Sequence, residues 1–432
     1  MMRRSSGPEL PLAWRKIMLR CTSVSTAATI LTAVLALGFS LSCSTLESSR
    51  PSDPAARARS LQASVPLIDG HNDLAWELRQ LAGGDLAMMD ISLRQPQLQT
   101  DIPRLKEGMV GGVFWSVYVP TTLPGPEAIR TTMEQIDTVY RIARRYPETF
   151  RMAFGAEDVE QAFASGRIAA LIGMEGGYSI DNSLAVLRSF YRLGARYLTL
   201  THSANIPWAA SATDVPVAYG LTAFGREVVH EMNRLGMLVD LAHVSPDTMR
   251  QALDAALAPV IFSHSSARGL CDHPRNVPDD VLRRLPENGG IVMVTFVPRF
   301  VSNTVRLHYE AREAESARLT ALPGSTPEKV AAGIKEWDQS HPAPRATVAD
   351  VADHIDHIRR IAGIDSIGLG SDFDGTTQTP LGLEDVSKFP NLIAELVRRG
   401  YSDQDIYKIL GGNLLRVMRR AEAAARNLQQ ER

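Results

Sequence analysis

At six points in this sequence, a short apolar run ends in residues that can bind a metal ion or move a proton. In chain order these residues are His71 with Asp73, Glu175, His202, His243, His264 and Asp372. Histidine and carboxylate side chains are common ligands of zinc and related divalent cations. One such run would carry little weight, but six of them predict that the ends of distant strands meet at a single polar site.

The spacing of the first residues favours metal binding. His71 and Asp73 are two positions apart, so on a strand both side chains point to one face and could hold one cation together. Glu175 lies between Gly173 and Gly176, at the end of an apolar run. A buried carboxylate must be paired or metal-bound, because an isolated charge in an apolar interior is costly. Its two oxygens could bridge two cations, and an ion pair with an arginine is the alternative.

The remaining residues suggest both ligands and catalytic groups. His243 and His264 end consecutive strands and are expected side by side, where imidazoles suit zinc, although manganese or cobalt would also be accepted. His202 is a candidate electrophile that could hydrogen-bond an oxygen gaining charge, and Asp372 is a candidate proton acceptor. The other ionisable residues receive no catalytic role: Asp374 is expected to be structural, His354 and His357 are expected at the surface, and His273 stays unassigned.

The elements that must position these residues alternate along the chain. Eight strand-like runs are separated by amphipathic segments, and they cover residues 66–68, 112–119, 169–174, 197–201, 237–241, 259–263, 290–296 and 366–370. Such alternation requires parallel pairing and right-handed crossovers. Eight units predict an α/β fold, a (β/α)₈ barrel of the TIM type, with its chemistry at the carboxyl ends of the strands.

The composition excludes some partners and modifications. The chain has 432 residues, 44% hydrophobic and 22% charged, with a formal net charge of −2. The basic residues form no stripe, so no nucleic-acid partner is expected. Cys21 and Cys43 lie in the N-terminal segment, which leaves Cys271 as the one cysteine of the folded body. No disulfide within the mature chain is therefore expected.

The N-terminal segment predicts export. Basic residues precede an uncharged apolar run at 27–41, which is too short for a comfortable membrane span but suits a signal peptide. The expected organisation is a signal peptide at 1–42 with Cys43 as a lipidated first residue, a flexible tether at 43–63, a catalytic domain at 64–425 and a polar tail at 426–432. Simple cleavage and an uncleaved anchor remain open alternatives, and so does a start at Met18. Any membrane contact is expected through this end alone, at the periplasmic face of a bacterial membrane, or the protein is free in the periplasm.

One stretch of the body, residues 301–347, breaks the alternation. It is charged, contains proline and is long for a strand-to-helix connection. Connections of this length are usually functional or disordered. Because it follows the seventh predicted strand, it is expected as an insertion over the mouth of the barrel, either a lid or a contact with a second subunit, and a solvated excursion is the alternative.

Taken together, these motifs resemble the membrane (renal) dipeptidase family, metallopeptidase family M19. The matching segments are 69–74, 111–118, 172–181, 197–203, 240–245, 259–267, 275–280, 370–375, 383–395 and 413–417. The resemblance implies a site for two zinc ions, with His71 and Asp73 on one ion, His243 and His264 on the other, and Glu175 bridging them. It also implies that His202 contacts substrate, that Arg275 binds the substrate carboxylate, that Asp372 is catalytic, and that a homodimer is possible.

The resemblance therefore predicts a metallo-dipeptidase of the membrane-dipeptidase type. Its expected reaction is hydrolysis of dipeptides with a free C-terminal carboxylate by a hydroxide shared between the metals, with tolerance of a D-residue at the C-terminal position. Two departures from the family are Thr121, where the animal enzymes have cysteine, and the long insertion. Alternatives are a barrel metal hydrolase of lactones, phosphoesters or cyclic amides, and an exported metal-binding protein without activity.

Overall fold

The structure is a computed structural model that describes residues 53–430. The expected signal peptide, Cys43 and the first part of the expected tether lie outside the described residues. Within 53–430, none of the helices combines the length and the apolar character that a bilayer crossing requires.

Nine parallel strands form one sheet, and eight of them close into a barrel. The strands are β1 Leu67–Asn72, β2 Val110–Tyr118, β3 Phe150–Met152, β4 Ile168–Glu175, β5 Ala195–Thr199, β6 Leu238–Asp240, β7 Ile261–Ser265, β8 Ile291–Val294 and β9 Ile367–Leu369. Every barrel strand pairs with the next one along the chain, β2 pairs directly with β4, and β9 returns to β1. The predicted (β/α)₈ barrel of the TIM type is confirmed.

The short strand β3 was not predicted and lies outside the ring. Its residues pair with the beginning of β4, from Phe150 opposite Ile168 to Met152 opposite Ala170. From Ile172 onward β4 pairs instead with β5. Three residues are too few to show a periodic pattern, so this strand was not recognisable from the sequence.

Helices cover the outside of the barrel and the regions before and after it. They are α1 Pro54–Gln62, α2 Leu74–Ala82, α3 Ile102–Glu107, α4 Gly125–Arg145, α5 Ala156–Ala164, α6 Leu184–Arg192, α7 Ala223–Leu235, α8 Pro246–Ala255, α9 Asp279–Leu282, α10 Leu285–Asn288, α11 Pro298–Val301, α12 Asn303–Thr320, α13 Pro327–Ser340, α14 Val348–Ala362, α15 Phe389–Arg398, α16 Asp403–Tyr407 and α17 Asn413–Gln430. Local signals define several helix ends. Ser183 and Ser245 cap the starts of α6 and α8, and Gly236 ends α7 in a left-handed conformation.

The structure differs from the predicted tether at residues 54–62, which form α1. Asp53 caps this helix by accepting hydrogen bonds from the backbone N–H groups of Ala55 and Ala56. Ala58 and Leu61 are buried, and the helix packs against α15. This helix was not recognisable from the sequence because only two of its apolar side chains are buried, within a stretch otherwise rich in arginine, serine and alanine.

The region predicted as an insertion is helical rather than irregular. After the short α11, helices α12 and α13 pack against each other, and we call residues 303–340 the helical hairpin. Arg312 on α12 donates two hydrogen bonds, of 2.8 and 3.0 Å, to the Asp338 carboxylate on α13. Val305 and Ile334 are its buried residues. A hairpin with so little apolar burial carries a weak periodic signal, so its helices were not recognisable from the sequence.

Apolar side chains fill the barrel beneath its carboxyl end. One buried cluster joins residues from five strands, Ile68, Phe114, Leu171, Tyr197 and Met293. Tyr197 lies across this interior, with its ring centroid 5.0 Å from that of Phe114. A Cβ atom at Gly173 would overlap the Tyr197 ring, so the glycine before Met174-Glu175 gives the tyrosine its space. The packed interior forms a floor under the polar site.

Candidate active site

A cavity of about 780 Å³ opens at the carboxyl ends of the barrel strands. Seven of the residues singled out from the sequence line it, Asp73, Glu175, His202, His243, His264, Arg275 and Asp372. His71 lies just below, fully buried. The structure thus brings together every predicted metal, catalytic and substrate-binding residue of the barrel. In the sequence these residues extend from His71 to Asp372.

Glu175 occupies the centre of this group, and its two carboxylate oxygens have different neighbours. Oε2 faces His71, whose Nε2 is 3.6 Å away and also lies 3.2 Å from Asp73 Oδ2. Oε1 faces His243 and His264, with Nε2 atoms at 2.9 and 3.5 Å. Ser116 donates a hydrogen bond of 3.3 Å to Oε2. One carboxylate therefore lies between two separate sets of potential ligands.

The arrangement of these atoms fits divalent metal ions. Three sets of donor atoms lie within 4.8 Å of one another, namely His71 with Glu175 and His264, Glu175 with His202 and His243, and His71 with Asp73 and Asp372. Among the described residues the buried His71 Nε2 makes no hydrogen bond of good geometry, although the Asp73 carboxylate lies 3.2 Å away. Buried polar atoms of proteins are normally satisfied, so this nitrogen calls for a ligand. A set of imidazoles and carboxylates matches the preferences of zinc.

Hydrogen bonds on the far side of two imidazoles aim their Nε2 atoms at Glu175. His71 Nδ1 lies 2.9 Å from the Tyr197 hydroxyl, and His264 Nδ1 lies 2.9 Å from Ser263 Oγ. Partners of this kind fix the orientation of metal-binding histidines and tune their basicity. Sequence reasoning missed Tyr197, because its contact with His71 crosses the barrel from β5 to β1.

Two buried aspartates hold the backbone around the site in the same way, and we call them the aspartate clamps. Asp69 accepts hydrogen bonds from the Ser371 N–H at 2.8 Å and hydroxyl at 2.6 Å. Asp240 accepts the same pair from Ser263, also at 2.8 and 2.6 Å. Ser371 precedes Asp372 and Ser263 precedes His264, so each clamp fixes the residue before a site side chain. Neither clamp was predicted as a site residue, although both aspartates lie in the recognised motifs.

The backbone at the rim adopts sparsely populated conformations. His243 and Asp372 both have a φ angle of 67°, in the left-handed region that non-glycine residues rarely enter. A Cβ atom at Gly375 would collide with the Asp73 and Asp372 carboxylates. Unusual conformations of this kind concentrate at functional sites, where surrounding contacts enforce them.

Burial and mutual repulsion shift the protonation of the carboxylates. Burial, together with the nearby Asp73 carboxylate, raises the pKa of Glu175 to about 8 and that of Asp372 to about 7. Burial alone would lower the pKa of His71, but the carboxylates of Glu175 and Asp73 raise it to about 10. Without cations, the site therefore holds protons to balance its negative charge. Metal ions would displace those protons.

The other histidines of the site favour the neutral form. Burial and the positive charge of Arg275 hold the pKa of His243 well below its usual range. The same two causes lower the pKa of His202 to about 4. The His202 ring lies 4.3 Å from that of His243, and its Nε2 is 3.9 Å from Glu175 Oε1. His202 is thus a neutral imidazole at the edge of the carboxylate cluster.

Arg275 forms the cationic side of the cavity. Its guanidinium donates hydrogen bonds to Ser265 Oγ at 3.4 Å and to the His264 carbonyl at 3.2 Å. The guanidinium carbon lies 5.4 Å from the centre of the Phe300 ring. Burial lowers the pKa of Arg275 to about 10, which leaves it charged at neutral pH. A buried cation beside a cluster of metal ligands suits an anionic group of a substrate.

Three other residues test the remaining sequence-based expectations. Asp374, predicted to be structural, accepts a hydrogen bond of 2.6 Å from the Gln99 N–H. The surface positions predicted for His354 and His357 are wrong, because both rings are buried. Helix α14 carries them beside Ile355 and Ile358 and is covered on more than one face, so the i, i+3 spacing reflected a wide buried face rather than an exposed one.

Comparisons with known proteins agree with this geometry. Residues 55–432 match the family model described as membrane dipeptidase, peptidase family M19. Dipeptidase 3 of Rattus norvegicus is 42% identical over 379 residues, which cover 86% of this chain and 68% of that protein.

Two solved bacterial structures share the fold. The probable dipeptidase PvdM from Pseudomonas aeruginosa has a TM-score of 0.76 at 24% identity, over 86% of this chain and 99% of that one. A metallopeptidase from Rhodobacter sphaeroides, solved with a phosphinate mimic of the dipeptide L-Ala-D-Ala, has a TM-score of 0.69 at 24% identity, over 83% and 99% of the two chains. The fold, the ligand cluster and the match over most of the sequence lead to one conclusion: the chain belongs to the membrane dipeptidase family, peptidase family M19.

Proposed function

We propose that this protein hydrolyses dipeptides that carry a free C-terminal carboxylate, as a metallo-dipeptidase of the membrane-dipeptidase type. The observation that carries the proposal is the position of Glu175 between two sets of histidine and carboxylate donors, in the same cavity as the buried Arg275. A metal centre would supply the hydrolytic chemistry, and the buried guanidinium of Arg275 would bind the terminal carboxylate. Family membership supports both parts.

The proposed metal content is two zinc ions per chain. His71 and Asp73 would hold one ion, His243 and His264 the other, and Glu175 would bridge them through its two oxygens. The donor set and the split of the Glu175 contacts support this assignment. When bound, such ions polarise a carbonyl group and lower the pKa of a shared water molecule toward about 7.

The side chains around the centre have complementary roles in the proposed reaction. Arg275 binds the C-terminal carboxylate through its free N–H groups and thereby sets the register of the peptide. His202, neutral at physiological pH, donates a hydrogen bond to the carbonyl oxygen as that oxygen gains negative charge. Asp372 accepts a proton from the attacking water and returns it to the leaving amine nitrogen.

We also propose that the C-terminal residue of the substrate can have the D configuration. The ligand of the Rhodobacter sphaeroides metallopeptidase, a mimic of L-Ala-D-Ala, supports this idea for a chain of the same fold.

The direct test measures the release of amino acids from paired L,L and L,D dipeptides, together with the metal content of the purified protein. We expect turnover of both diastereomers, loss of turnover with a chelator and recovery with zinc. A panel of lactones, phosphoesters and cyclic amides tests the alternative hydrolase. Turnover of those compounds without any dipeptide hydrolysis would refute the proposal.

For the whole chain, we propose export and attachment to the periplasmic face of a bacterial membrane through a lipid on Cys43. The apolar run at 27–41 and the Ser42-Cys43-Ser44 sequence support this proposal. A homodimer is proposed on family resemblance, and sedimentation of the purified protein measures it directly. Neither proposal affects the assignment of the catalytic residues.

A further inference from the structure

His273, which the sequence left without a role, lies beside Arg275 in the wall of the cavity. It belongs to a tight turn in which its own N–H bonds to the Cys271 carbonyl at 2.7 Å, and its carbonyl accepts from the Asn276 N–H at 3.0 Å. The imidazole packs against Phe300, with ring centroids 4.3 Å apart. These contacts hold the ring in one orientation.

The hydrogen bonds of His273 define which ring nitrogen carries a proton. Nδ1 accepts a hydrogen bond of 3.2 Å from the backbone N–H of Arg275. Nδ1 is therefore unprotonated, and the neutral ring carries its proton on Nε2. Nε2 has no hydrogen-bond partner among the described residues, while the side chain lines the cavity. The site thus contains a fixed N–H donor with no acceptor from the protein.

The neighbours of His273 favour an anion as that acceptor. The guanidinium carbons of Arg275 and Arg299 lie 5.4 and 5.7 Å from the centre of the Phe300 ring, on which His273 also packs. Burial, together with these two arginines, lowers the pKa of His273 to about 3, so the ring stays neutral. Arg275 already donates to Ser265 and to the His264 carbonyl, so only part of its donor capacity remains for a ligand.

We propose that the Nε2–H of His273 is a second donor to the substrate carboxylate that Arg275 binds. The inference rests on the proposed function, in which a dipeptide presents a free C-terminal carboxylate to this wall. One carboxylate has lone pairs for several donors. A neutral imidazole adds a hydrogen bond to the second oxygen without adding another positive charge near the metal ligands.

A structural role must be separated from a binding role, because Nδ1 also supports the backbone of Arg275. Two substitutions separate the acceptor function of Nδ1 from the proposed donor function of Nε2. His273→Asn keeps an acceptor near the position of Nδ1. Asparagine also commonly accepts from the N–H two residues on, here that of Arg275, in an Asx turn that the intervening Pro274 favours. His273→Gln removes that acceptor but places an amide N–H near the position of Nε2.

If His273 binds the carboxylate, His273→Asn raises KM for dipeptides roughly ten- to hundredfold, the usual contribution of a hydrogen bond to a charged group, and leaves kcat and metal content almost unchanged. His273→Gln recovers part of the loss. The same dipeptides with a C-terminal carboxamide show no further loss in His273→Asn. The opposite order, with His273→Asn like wild type and His273→Gln impaired, would assign His273 to positioning Arg275 and overturn the proposal. Equal losses on acid and amide would overturn it as well.

A binding measurement keeps this inference separate from the proposed activity. A phosphinate dipeptide mimic with a free carboxylate, and its carboxamide, can be titrated calorimetrically into the zinc-loaded wild-type and variant proteins. We expect His273→Asn to weaken binding of the acid roughly ten- to hundredfold and to leave binding of the amide unchanged. A wild-type protein that binds the acid in this way but cleaves no dipeptide would refute the activity and retain the anion site. Equal affinity of wild type and His273→Asn for the acid would refute the anion site.

Discussion

At the scale of single residues, Glu175 is a buried carboxylate at the centre of the site. Its carboxylate is buried, yet no arginine or lysine pairs with it in the described part of the chain, and four imidazoles surround it within 3.9 Å. The alternative reading from the sequence, an ion pair with an arginine across the barrel, is therefore excluded as a direct contact. A carboxylate placed to bridge two cations would account for the burial of Glu175 and for the division of neighbours between Oε1 and Oε2.

Substitutions at Glu175 and Asp372 are expected to separate metal binding from proton transfer. Glu175→Gln removes the bridging charge, so the purified variant should bind fewer zinc ions and lose activity. Asp372→Asn should keep most of its metal but lower kcat roughly a hundred- to ten-thousandfold, the usual contribution of a general base. Elemental analysis and dipeptide turnover measure both effects. Glu77→Gln, which alters a carboxylate lining the same cavity, is the matched control, and full zinc content in Glu175→Gln would contradict the bridge.

Tyr197 is expected to influence the metal site through His71. Tyr197→Phe removes the hydroxyl group 2.9 Å from His71 Nδ1, and losses of such supporting contacts commonly weaken metal affinity ten- to hundredfold. Competition with a chelator of known affinity measures the change. Tyr401→Phe removes another hydroxyl contact, 2.6 Å from Asp356 and away from the cavity, and should leave metal affinity intact. Unchanged affinity in Tyr197→Phe would mean that packing alone orients His71.

The proposed ligands were recognisable from the sequence because each follows an apolar run, and the barrel brings all such run ends to one rim. The residues that orient the ligands were not recognisable in the same way. In the sequence Tyr197 is indistinguishable from any aromatic residue of a strand. Asp69 and Asp240 act through hydrogen bonds from serines of distant segments. Their roles depend on contacts between distant segments, which local spacing does not reveal.

At the scale of elements, buried parallel strands were the most predictable part of the fold. They are covered on both faces and therefore read as continuous apolar runs. All eight predicted runs overlap barrel strands, whereas α1, β3 and the helical hairpin went unrecognised. Each missed element is short or buries few apolar side chains, so its conformation depends on tertiary contacts more than on its own pattern.

Helix α14 connects the loop that follows β7 to the end of α11 through one buried histidine, His354. His354 Nδ1 accepts a hydrogen bond of 3.0 Å from the Ala267 N–H, and Nε2 donates one of 3.1 Å to the Val301 carbonyl. This pair of bonds requires the neutral ring. Burial lowers the pKa of His354 to about 4, from 6.5 in an exposed residue.

The stability contributed at His354 should therefore be lost on acidification. Between pH 6.5 and 4 the histidine is protonated in the unfolded chain but stays neutral in the folded protein. The free energy of unfolding therefore falls as the pH falls. The shift corresponds to about 3 kcal/mol when complete. Denaturant unfolding from pH 7 to 4 should show a shallower decline in His354→Gln than in wild type, and His341→Gln, at an exposed position, should follow wild type. Parallel curves for His354→Gln and wild type would contradict this assignment.

At the scale of the whole molecule, strand order equals chain order, so the site draws on the entire length of the barrel. β1 supplies His71, β4 supplies Glu175, β7 supplies His264, and the segment after β9 supplies Asp372. The sequence allowed this closure to be predicted because eight units are the number that a barrel of this type needs. The helical hairpin is an addition to the eight strand–helix units, and its residue Tyr309 on α12 forms part of the cavity wall.

The proposed attachment of the whole chain to a membrane can be tested at Cys43. In a bacterial host, the full-length protein should fractionate with membranes, and Cys43→Ser should appear in the soluble periplasmic fraction or as an uncleaved precursor. Mass spectrometry of the N-terminal peptide identifies a lipid on Cys43. Cys271→Ser, at the buried cysteine of the barrel, is the control and should remain with the membranes. Recovery of wild-type protein in the soluble fraction would argue against the lipid.

The clamp between Asp69 and Ser371 has a consequence for biosynthesis. It joins the first barrel strand to the last across 302 positions of sequence, and Asp372 follows immediately. A polypeptide still emerging from the ribosome has made His71 and Asp73 long before Asp372 exists. The complete active site thus forms only after nearly the whole barrel has been synthesised and has closed, so an exported precursor that crosses the membrane unfolded would acquire the proposed metal ions at its destination.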